Sequence, residues 1–431
     1  MNAYKKQCPC QLRNIANLEL VESQQYSSNQ STDERGITGK SIRLSYSSLF
    51  KGDQDRKEGG STRILIVGEA GIGKTILCAS IAEDWANGKL FQEFLMVFLL
   101  PLNQRGIASA QNLQELFKNL EFDGKVCVTV ATYLMAIKRE NILMIADGWD
   151  ELSESNSSKE SFLYHLLFGD LVPSSSLTVV VMSKSAPVTQ HSISRFITVK
   201  GFSEETVKSY IQCEFSSNPE KLSSIMTQLE SNPLLGDICS VPLSLSMICS
   251  YLQSCDDPLP NTMPELYEKL AWNLAQLKIK EYENVLIQKL SNYQDLPNEL
   301  QQLWSHLCQL AFKKCQTDFS QAIASTYLST ELETFGLLKP APVGSDEVMF
   351  SFLCPAFRYY LAVSHLTTLP QSEQLEVIKS MRHIDPTFCR FYFSVDENPS
   401  SDIVSEVVQK LHHCCRDMCL LSFDSKNEIV D

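Results

Sequence analysis

A mainly parallel α/β sheet followed by an α-helical second half is the fold class this sequence predicts. Three observations carry that expectation. Five apolar runs, Ile64–Val67, Phe94–Leu100, Ile142–Ala146, Leu177–Met182 and Phe196–Val199, are each of strand length, and several are bounded by Gly, Pro or Asp. Stretches of helical periodicity such as Thr75–Trp85 and Leu113–Leu120 lie between them, and a βαβ alternation makes the sheet parallel. After Gly201 the strand-like runs fade, and Glu204–Phe215, Pro242–Leu252, Pro264–Leu277 and Glu299–Phe312 read as helices.

Taken in order, the chain opens on a polar lead-in, residues 1–60. Met1–Leu20 carries Lys5, Lys6 and Arg13 without a continuous apolar run behind them, so it does not read as a signal peptide. Gln24–Gly60 is rich in Ser, Gln, Asp and Gly and reads as a linker. The α/β unit is expected at 61–200 and a helical unit at 201–258. A winged-helix-like unit follows at 259–366, where Phe335–Leu338 and Val348–Leu353 suggest a small hairpin, and a second helical segment fills 367–431. No repeat of 20–50 residues is visible.

The 431 residues are 44% hydrophobic, enough to bury roughly two or three cores. With 51 acidic against 37 basic side chains the net charge is −14, which argues against nucleic acid as a partner. The longest apolar run, Phe94 through Leu102, falls well short of the ~20 residues of a membrane helix, so no span is expected and the chain reads as soluble. Fifteen cysteines, scattered through core-like segments, suit reduced thiols inside a cell. His412, Cys415 and Cys419 could share a helical face and ligate zinc, but packed thiols are the expectation, because cysteine is commonly buried without metal.

The sharpest chemical signal is Gly68-Glu69-Ala70-Gly71-Ile72-Gly73-Lys74-Thr75. Its spacing, G-x-x-x-x-G-K-T, follows an expected strand and opens an expected helix, the context a phosphate-cradling loop requires. Glycines permit the tight path, and successive N–H groups at the helix N-terminus face an anion. Lys74 brings a cation to the β and γ oxygens, and the Thr75 hydroxyl serves magnesium. A nucleoside triphosphate with Mg2+ is therefore the ligand set the loop predicts.

A second element, Ile142–Ala146, ends abruptly in Asp147-Gly148-Trp149-Asp150-Glu151. Asp147 at the strand tip would hold magnesium through a bound water beside Thr75. Acids after a strand are also ordinary turn residues, so the pairing with the loop is what gives this signal weight. The interval from Lys74 to Asp147 is too long for one crossover, and the run Phe94–Leu100 supplies an extra strand in it, as in P-loop proteins with an inserted strand. There an acid near the magnesium residue orients the attacking water, which makes Glu151, or Asp150 beside it, the candidate base for slow hydrolysis.

These residues resemble the NACHT domains of the signal-transducing P-loop NTPases, the STAND class that includes the NOD-like receptors. The resemblance covers most of Ser61–Leu366 and is carried by Ile64–Thr75 and by Asp147-Gly148-Trp149-Asp150-Glu151-Leu152. Asn232–Leu235 and Cys239-Ser240-Val241-Pro242-Leu243 look like the family's helical segment whose proline packs on adenine, which makes Pro242 the implied contact; proline in a first helical turn is also ordinary. Leu266–Leu270 and Phe350–Leu353 look like its winged-helix region.

Two positions depart from the family. Its sensor after the fourth strand reads Thr-Ser-Arg-Pro, whereas this chain has Met182-Ser183-Lys184-Ser185-Ala186-Pro187. Lys184 keeps a charge for the γ-phosphate without the planar fork, or is a solvated loop residue. The family's Phe-Leu-His places Cys354 at the histidine that holds the ADP-bound state, and a thiol is a poor donor, so that lock is expected to be looser.

The resemblance implies an ATP-binding, slowly hydrolysing cytoplasmic switch. Nucleotide exchange would govern self-association and contact with other signalling proteins, in innate immune or cell-death pathways. Two rival readings stay open: a partner-remodelling ATPase with brisk turnover, and a regulatory scaffold that binds nucleotide without turning it over. The absence of sensor repeats after Asp431 and of a recognisable effector before Gln24 favours the scaffold, and a shortened gene model would produce the same ends.

Overall fold

The computed structural model describes residues 18–23, 41–50, 62–102, 104–120, 122–136, 141–152, 157–169, 177–184, 193–255, 257–283, 293–316, 323–324, 335–341, 349–381, 384–396 and 398–424. They divide into two compact units. One comprises Met1–Cys249 with Ala341–Val348, and the other Ser250–Pro340 with Met349–Asp431.

The first unit is built on seven strands: β1 (Leu18–Ser23), β2 (Ser41–Leu44), β3 (Thr62–Val67), β4 (Met96–Pro101), β5 (Ile142–Asp147), β6 (Leu177–Ser183) and β7 (Arg195–Phe202). Their spatial order is β2-β1-β7-β3-β6-β5-β4. The five strands from β7 to β4 run parallel, and β1 and β2 are added antiparallel. Every residue of β5 and β6 is buried, the mark of a parallel sheet covered on both faces. The β-branched content of Leu177-Thr178-Val179-Val180-Val181 suits a central strand, where stiff side chains pack on a pleated surface.

Helices α1 (Lys74–Ala86), α2 (Leu113–Asn119), α3 (Gly124–Ala136) and α4 (Phe162–Leu167) belong to this sheet. Asn112 and Ser161 cap α2 and α4 by accepting from Glu115 N–H and Tyr164 N–H. One continuous core includes Leu65, Phe98, Leu116, Phe117, Ile142, Met144 and Leu166. Past β7 come α5 (Glu204–Glu214), α6 (Pro219–Ser231), α7 (Pro233–Cys239) and α8 (Pro242–Ser254). Asn218 and Asn232 cap α6 and α7, each with proline in the first turn, so the helix starts were written locally.

Two sequence expectations are corrected here. Residues 1–60 are not only a lead-in, because β1 and β2 join the sheet and Tyr46–Ser48 forms a 3-10 turn. The strand read from Phe94 begins at Met96; Phe94 instead packs edge-on against Phe50, ring centroids 5.2 Å apart, and its carbonyl accepts from Trp85 Nε1. That strand, β4, is the extra strand expected in the interval from Lys74 to Asp147, and it lies at the sheet edge beyond β5. The strand that separates β3 from β5 in space is β6.

The second unit contains α9 (Met263–Glu283), α10 (Asn298–Gln316), α11 (Pro355–Leu366), α12 (Gln371–Ser380), α13 (Pro386–Val395) and α14 (Ser401–Asp424). A small sheet joins β8 (Ile323–Ala324), β9 (Leu338–Ala341) and β10 (Met349–Phe352) in the order β8-β10-β9. Of the residues read as a hairpin, it contains Leu338 and Met349–Phe352. Trp272 and Trp304 stack at 4.2 Å between α9 and α10, while Phe357 and Phe391 both meet Tyr267 at 5.4 Å. The cysteine-rich stretch read as a possible zinc site lies on α14, and its side chains from 413 onward fall outside the described residues. Among the described residues no single helix is long and apolar enough to cross a membrane.

Candidate functional site

Strand register assembles the site. Val67 of β3 pairs with Ser183, and Asp147 of β5 pairs with Met182, so β3, β5 and β6 end on one level. Gly68 N–H donates to the Ser183 carbonyl at 3.2 Å, and Gly148 N–H to the Met182 carbonyl at 3.2 Å. The glycine loop, the acidic turn and Lys184 therefore leave adjacent strands together at their carboxyl ends, where ligands of parallel sheets bind.

The loop's shape depends on two glycines. Gly71 has φ +80° and Gly73, the N-cap of α1, φ +102°, a left-handed region that costs other residues about 1–2 kcal/mol. A side chain would also be crowded at either position. A Cβ at Gly71 would lie 3.0 Å from Leu243 Cβ and Cδ2, and one at Gly73 would lie 3.3 Å from Leu18 Cδ1 and 3.8 Å from Pro242 Cγ. Gly68 and Ile72 are buried, Ala70 is half-buried, and Glu69 and Thr75 are exposed.

Lys74 Nζ donates to the carbonyls of Gly68 and, at 2.9 Å, Glu69. Burial is the main influence on this ammonium and pulls its pKa below that of a free lysine. The negative charge of Asp150 opposes the shift, Lys184 adds to it, and Asp147 and Glu151 oppose it further. Asp147 is 8% exposed at the end of β5. Its charge helps burial to hold the neighbouring Cys78 thiol well above the usual range, so that cysteine is inert.

The acidic turn Trp149–Glu151 is seated by Trp149, which is buried and packs edge-on against Phe168 at 4.9 Å. Asp150 Oδ1 accepts from Lys184 N–H at 2.8 Å. Its Oδ2 lies 3.0 Å from Lys184 Nζ as an ion pair, although the contact is not aligned as a hydrogen bond and Oδ2 is buried without another. Glu151 Oε1 lies 3.8 Å from the same ammonium. Lys184 is exposed, yet it is tied to both candidate catalytic acids; Ser185–Pro187 lie outside the described residues.

Pro242 is buried at the start of α8, and the next residue, Leu243, donates its N–H to the Gly71 carbonyl at 3.2 Å. Sequence reasoning quoted Leu243 only as a neighbour of Pro242, and it passed over Leu18. The first could have been found from its adjacency to a motif proline; the second sits in a strand too short to show periodicity.

Residues 62–218 match the NACHT domain family. This stretch is a NACHT domain. NACHT, LRR and PYD domains-containing protein 13 of Homo sapiens is 27% identical over 224 residues, covering 47% of this chain and 21% of its own length. The corresponding human protein 3 is 26% identical over 222 residues, with 48% and 21% covered. A STAND protein of Pyrococcus horikoshii with a tetratricopeptide repeat sensor aligns at a TM-score of 0.31 and 16% identity, over 82% of this chain and 48% of that one. The chain spans about a fifth of the length of the curated relatives it matches.

A NACHT domain is a P-loop NTPase module, and the family implies nucleotide binding. The residues present suit such a ligand: a loop whose two left-handed glycines leave little space for Cβ atoms, an ammonium turned onto the loop's own carbonyls, and an exposed hydroxyl at Thr75. Among the described residues no group of three or more His, Cys, Asp or Glu is arranged to hold a metal ion. A single hydroxyl and a carboxylate are what magnesium takes when phosphate and water complete its shell.

In the second unit, Cys354 is buried at the N-cap of α11, and burial pushes its thiol up to about 11.

Proposed function

We propose that this chain binds ATP or ADP with magnesium at Gly68–Thr75 and uses the exchange of one for the other as a molecular switch, with slow hydrolysis between them. Loop N–H groups and Lys74 would hold the phosphates, Thr75 and Asp147 the magnesium, and Pro242 the adenine. Bound magnesium supplies charge neutralisation across the phosphates. Glu151 is the acid proposed to take the proton of the attacking water.

One observation carries the switch reading: the Leu243 N–H bond to the Gly71 carbonyl. The first turn of α8 rests directly on the phosphate loop, and Leu243 fills the space that a side chain at Gly71 would need. A ligand that reshapes the loop therefore acts on α8 without an intermediary. Differential affinity for two arrangements of that contact is sufficient to shift their populations. Self-association and engagement of cytoplasmic signalling partners, including innate immune ones, are the proposed outputs.

The test is to purify the chain without added nucleotide, denature it, and identify what is released by chromatography, beside Lys74→Ala. Adenine nucleotide in the wild type and none in the variant supports the reading, ADP marking a resting state and ATP an active one. An empty wild type that also fails to bind added ATP with magnesium would overturn it.

A further inference from the structure

We infer that Gly201, at the end of β7, is a positioning residue for the base end of the nucleotide site. Its bare backbone lets the corner between α7 and α8 close onto the sheet, and so sets where Pro242 stands beside the phosphate loop. The inference rests on the nucleotide reading above and adds to it a residue that acts without touching the ligand.

Gly201 has φ +100°, a left-handed conformation open to glycine at little cost. It stands at a bulge in the β1–β7 ladder, where Glu19 pairs with Gly201 and Leu20 with Val199, so Lys200 is the extra residue. Bulges re-aim a strand and are over-represented beside functional sites. Just past this one, the Phe202 N–H donates to the Ser240 carbonyl at 2.7 Å. Ser240 caps the C-terminus of α7, and Pro242 opens α8 just after it. A Cβ on Gly201 would collide with that carbonyl oxygen and would lie 3.1 Å from Ile72 Cδ1. The isoleucine methyl can swing aside. The carbonyl belongs to the backbone, so the corner itself would have to move.

That corner is held at both ends. Ser240 is fixed to β7, and Leu243 N–H donates to the Gly71 carbonyl at 3.2 Å, with Pro242 between them. Pro242 Cγ would lie 3.8 Å from a Cβ on Gly73, so the ring borders the loop. The end of β7 is itself anchored: Phe202 is buried with its ring 6.5 Å from that of Tyr210, and Ser203 caps α5 by accepting from Thr206 N–H. The phosphate loop has separate holds, since Gly68 N–H reaches the Ser183 carbonyl at 3.2 Å and Leu77 N–H the Gly73 carbonyl at 2.8 Å. Displacing the corner therefore shifts the proline against a bound base while the phosphate cradle keeps its shape.

The experiment titrates the nucleotide-free full chain, with magnesium, in a calorimeter against a non-hydrolysable ATP analogue and against inorganic tripolyphosphate, which presents phosphates without a base. Gly201→Ala is expected to weaken the ATP analogue about tenfold, the scale of one buried apolar contact, and to leave tripolyphosphate within about threefold. Pro242→Ala gives the same pattern, and the double variant goes no further. Lys74→Ala weakens both ligands. In the wild type, hydrogen exchange at the Phe202 amide slows on binding the ATP analogue and not on binding tripolyphosphate.

Equal losses for the two ligands in Gly201→Ala would overturn the inference, because the glycine would then shape the loop as a whole. So would wild-type affinities in that variant, or additive losses in the double variant. Should Gly201→Ala fail to fold, the Phe202 amide decides, and equal slowing by both ligands overturns the inference. Failure of the wild type to bind either ligand would sink the nucleotide reading itself. Equal affinity of the wild type for both would remove the base contact proposed for Pro242 and this inference with it, a result distinct from a preference for the ATP analogue that Gly201→Ala leaves unchanged.

Discussion

Arg195 grips Glu22 through two hydrogen bonds, Nε to Oε1 at 2.5 Å and Nη2 to Oε2 at 2.9 Å, while its Nη1 donates to the Leu49 carbonyl at 2.7 Å. One guanidinium on β7 thus ties down both β1 and the turn that follows β2. The side chains are 9% and 19% exposed, so removing the cation leaves a largely desolvated carboxylate behind. Arg195→Ala is expected to destabilise the first unit by about 3 kcal/mol, the lower end for a broken buried pair because Glu22 keeps some solvent. Chemical denaturation gives that number, and limited proteolysis should show faster cleavage before residue 50. Wild-type behaviour in both would mean that the pair does not anchor β1.

The same segment reaches the far end of the helix that carries the phosphate loop. Tyr46 donates its hydroxyl proton to Asp84 Oδ2 at 3.0 Å, and its ring meets Phe91 edge-on at 5.4 Å. Burial, with Asp84 beside it, raises the phenol well above its ordinary range. Tyr46→Phe keeps the ring contact and deletes the hydrogen bond, so a loss of about 1–2 kcal/mol is expected for a bond to a charged acceptor. Tyr46→Ala should cost more, because the aromatic cluster with Phe50 and Phe91 goes as well. Equal losses for the two would assign all the stability to the hydroxyl.

How much of this was legible in the sequence follows from how each part is encoded. The loop Gly68–Thr75 and the turn after Asp147 were readable because backbone conformation and phosphate chemistry confine residue choice at fixed spacing. Strands β5 and β6 were readable because burial on both faces leaves a continuous apolar run. β2 was not: it is an edge strand of Ser41-Ile42-Arg43-Leu44, exposed for most of its length, and composition cannot tell it from a linker. Phe94 misled because its apolarity serves an aromatic cluster and not the sheet. Contacts made by register, such as Asp150 to Lys184 or Leu18 to Gly73, have no local signature at all.

Gly71 should tolerate no side chain. Alanine there meets Leu243 at 3.0 Å and must also adopt a positive φ. Gly71→Ala is expected to reduce nucleotide retention at least tenfold, since two costs of about 1–2 kcal/mol fall on the loop and its contact with α8. Combining it with Leu243→Ala relieves the collision and leaves the φ strain, so only partial recovery should follow. Full recovery in the double variant would show that the backbone at Gly71 is under no strain.

Thiol chemistry offers a check on burial. Of the described cysteines, Cys213 is exposed while Cys78, Cys239, Cys308, Cys354 and Cys389 are buried. Burial raises Cys239, Cys308 and Cys389 to about 12, which starves them of thiolate near neutrality. Brief iodoacetamide treatment followed by peptide mapping should find Cys213 labelled and those buried thiols intact until denaturant is added. Rapid labelling of Cys308 would contradict the packing of α10.

His365 gives the second unit one pH-dependent contribution to stability. It lies in the last turn of α11 with its ring 5.1 Å from Phe312, and burial lowers its pKa below the ordinary histidine value. A helix C-terminus favours a cation, so it opposes the desolvation that lowers this imidazole's pKa. A lowered folded-state pKa means that the unfolded chain takes the proton first. The stabilising contribution is therefore complete above about pH 6.5 and is lost as the pH falls below it. Carboxylates titrate over part of the same range, but they do so equally in a variant without the imidazole. Thermal midpoints of the wild type and His365→Phe, compared between pH 7.5 and 5.5, isolate the term: the wild type should lose more on acidification. A larger loss in His365→Phe would reverse the sign and mean that the helix end, not burial, governs this residue.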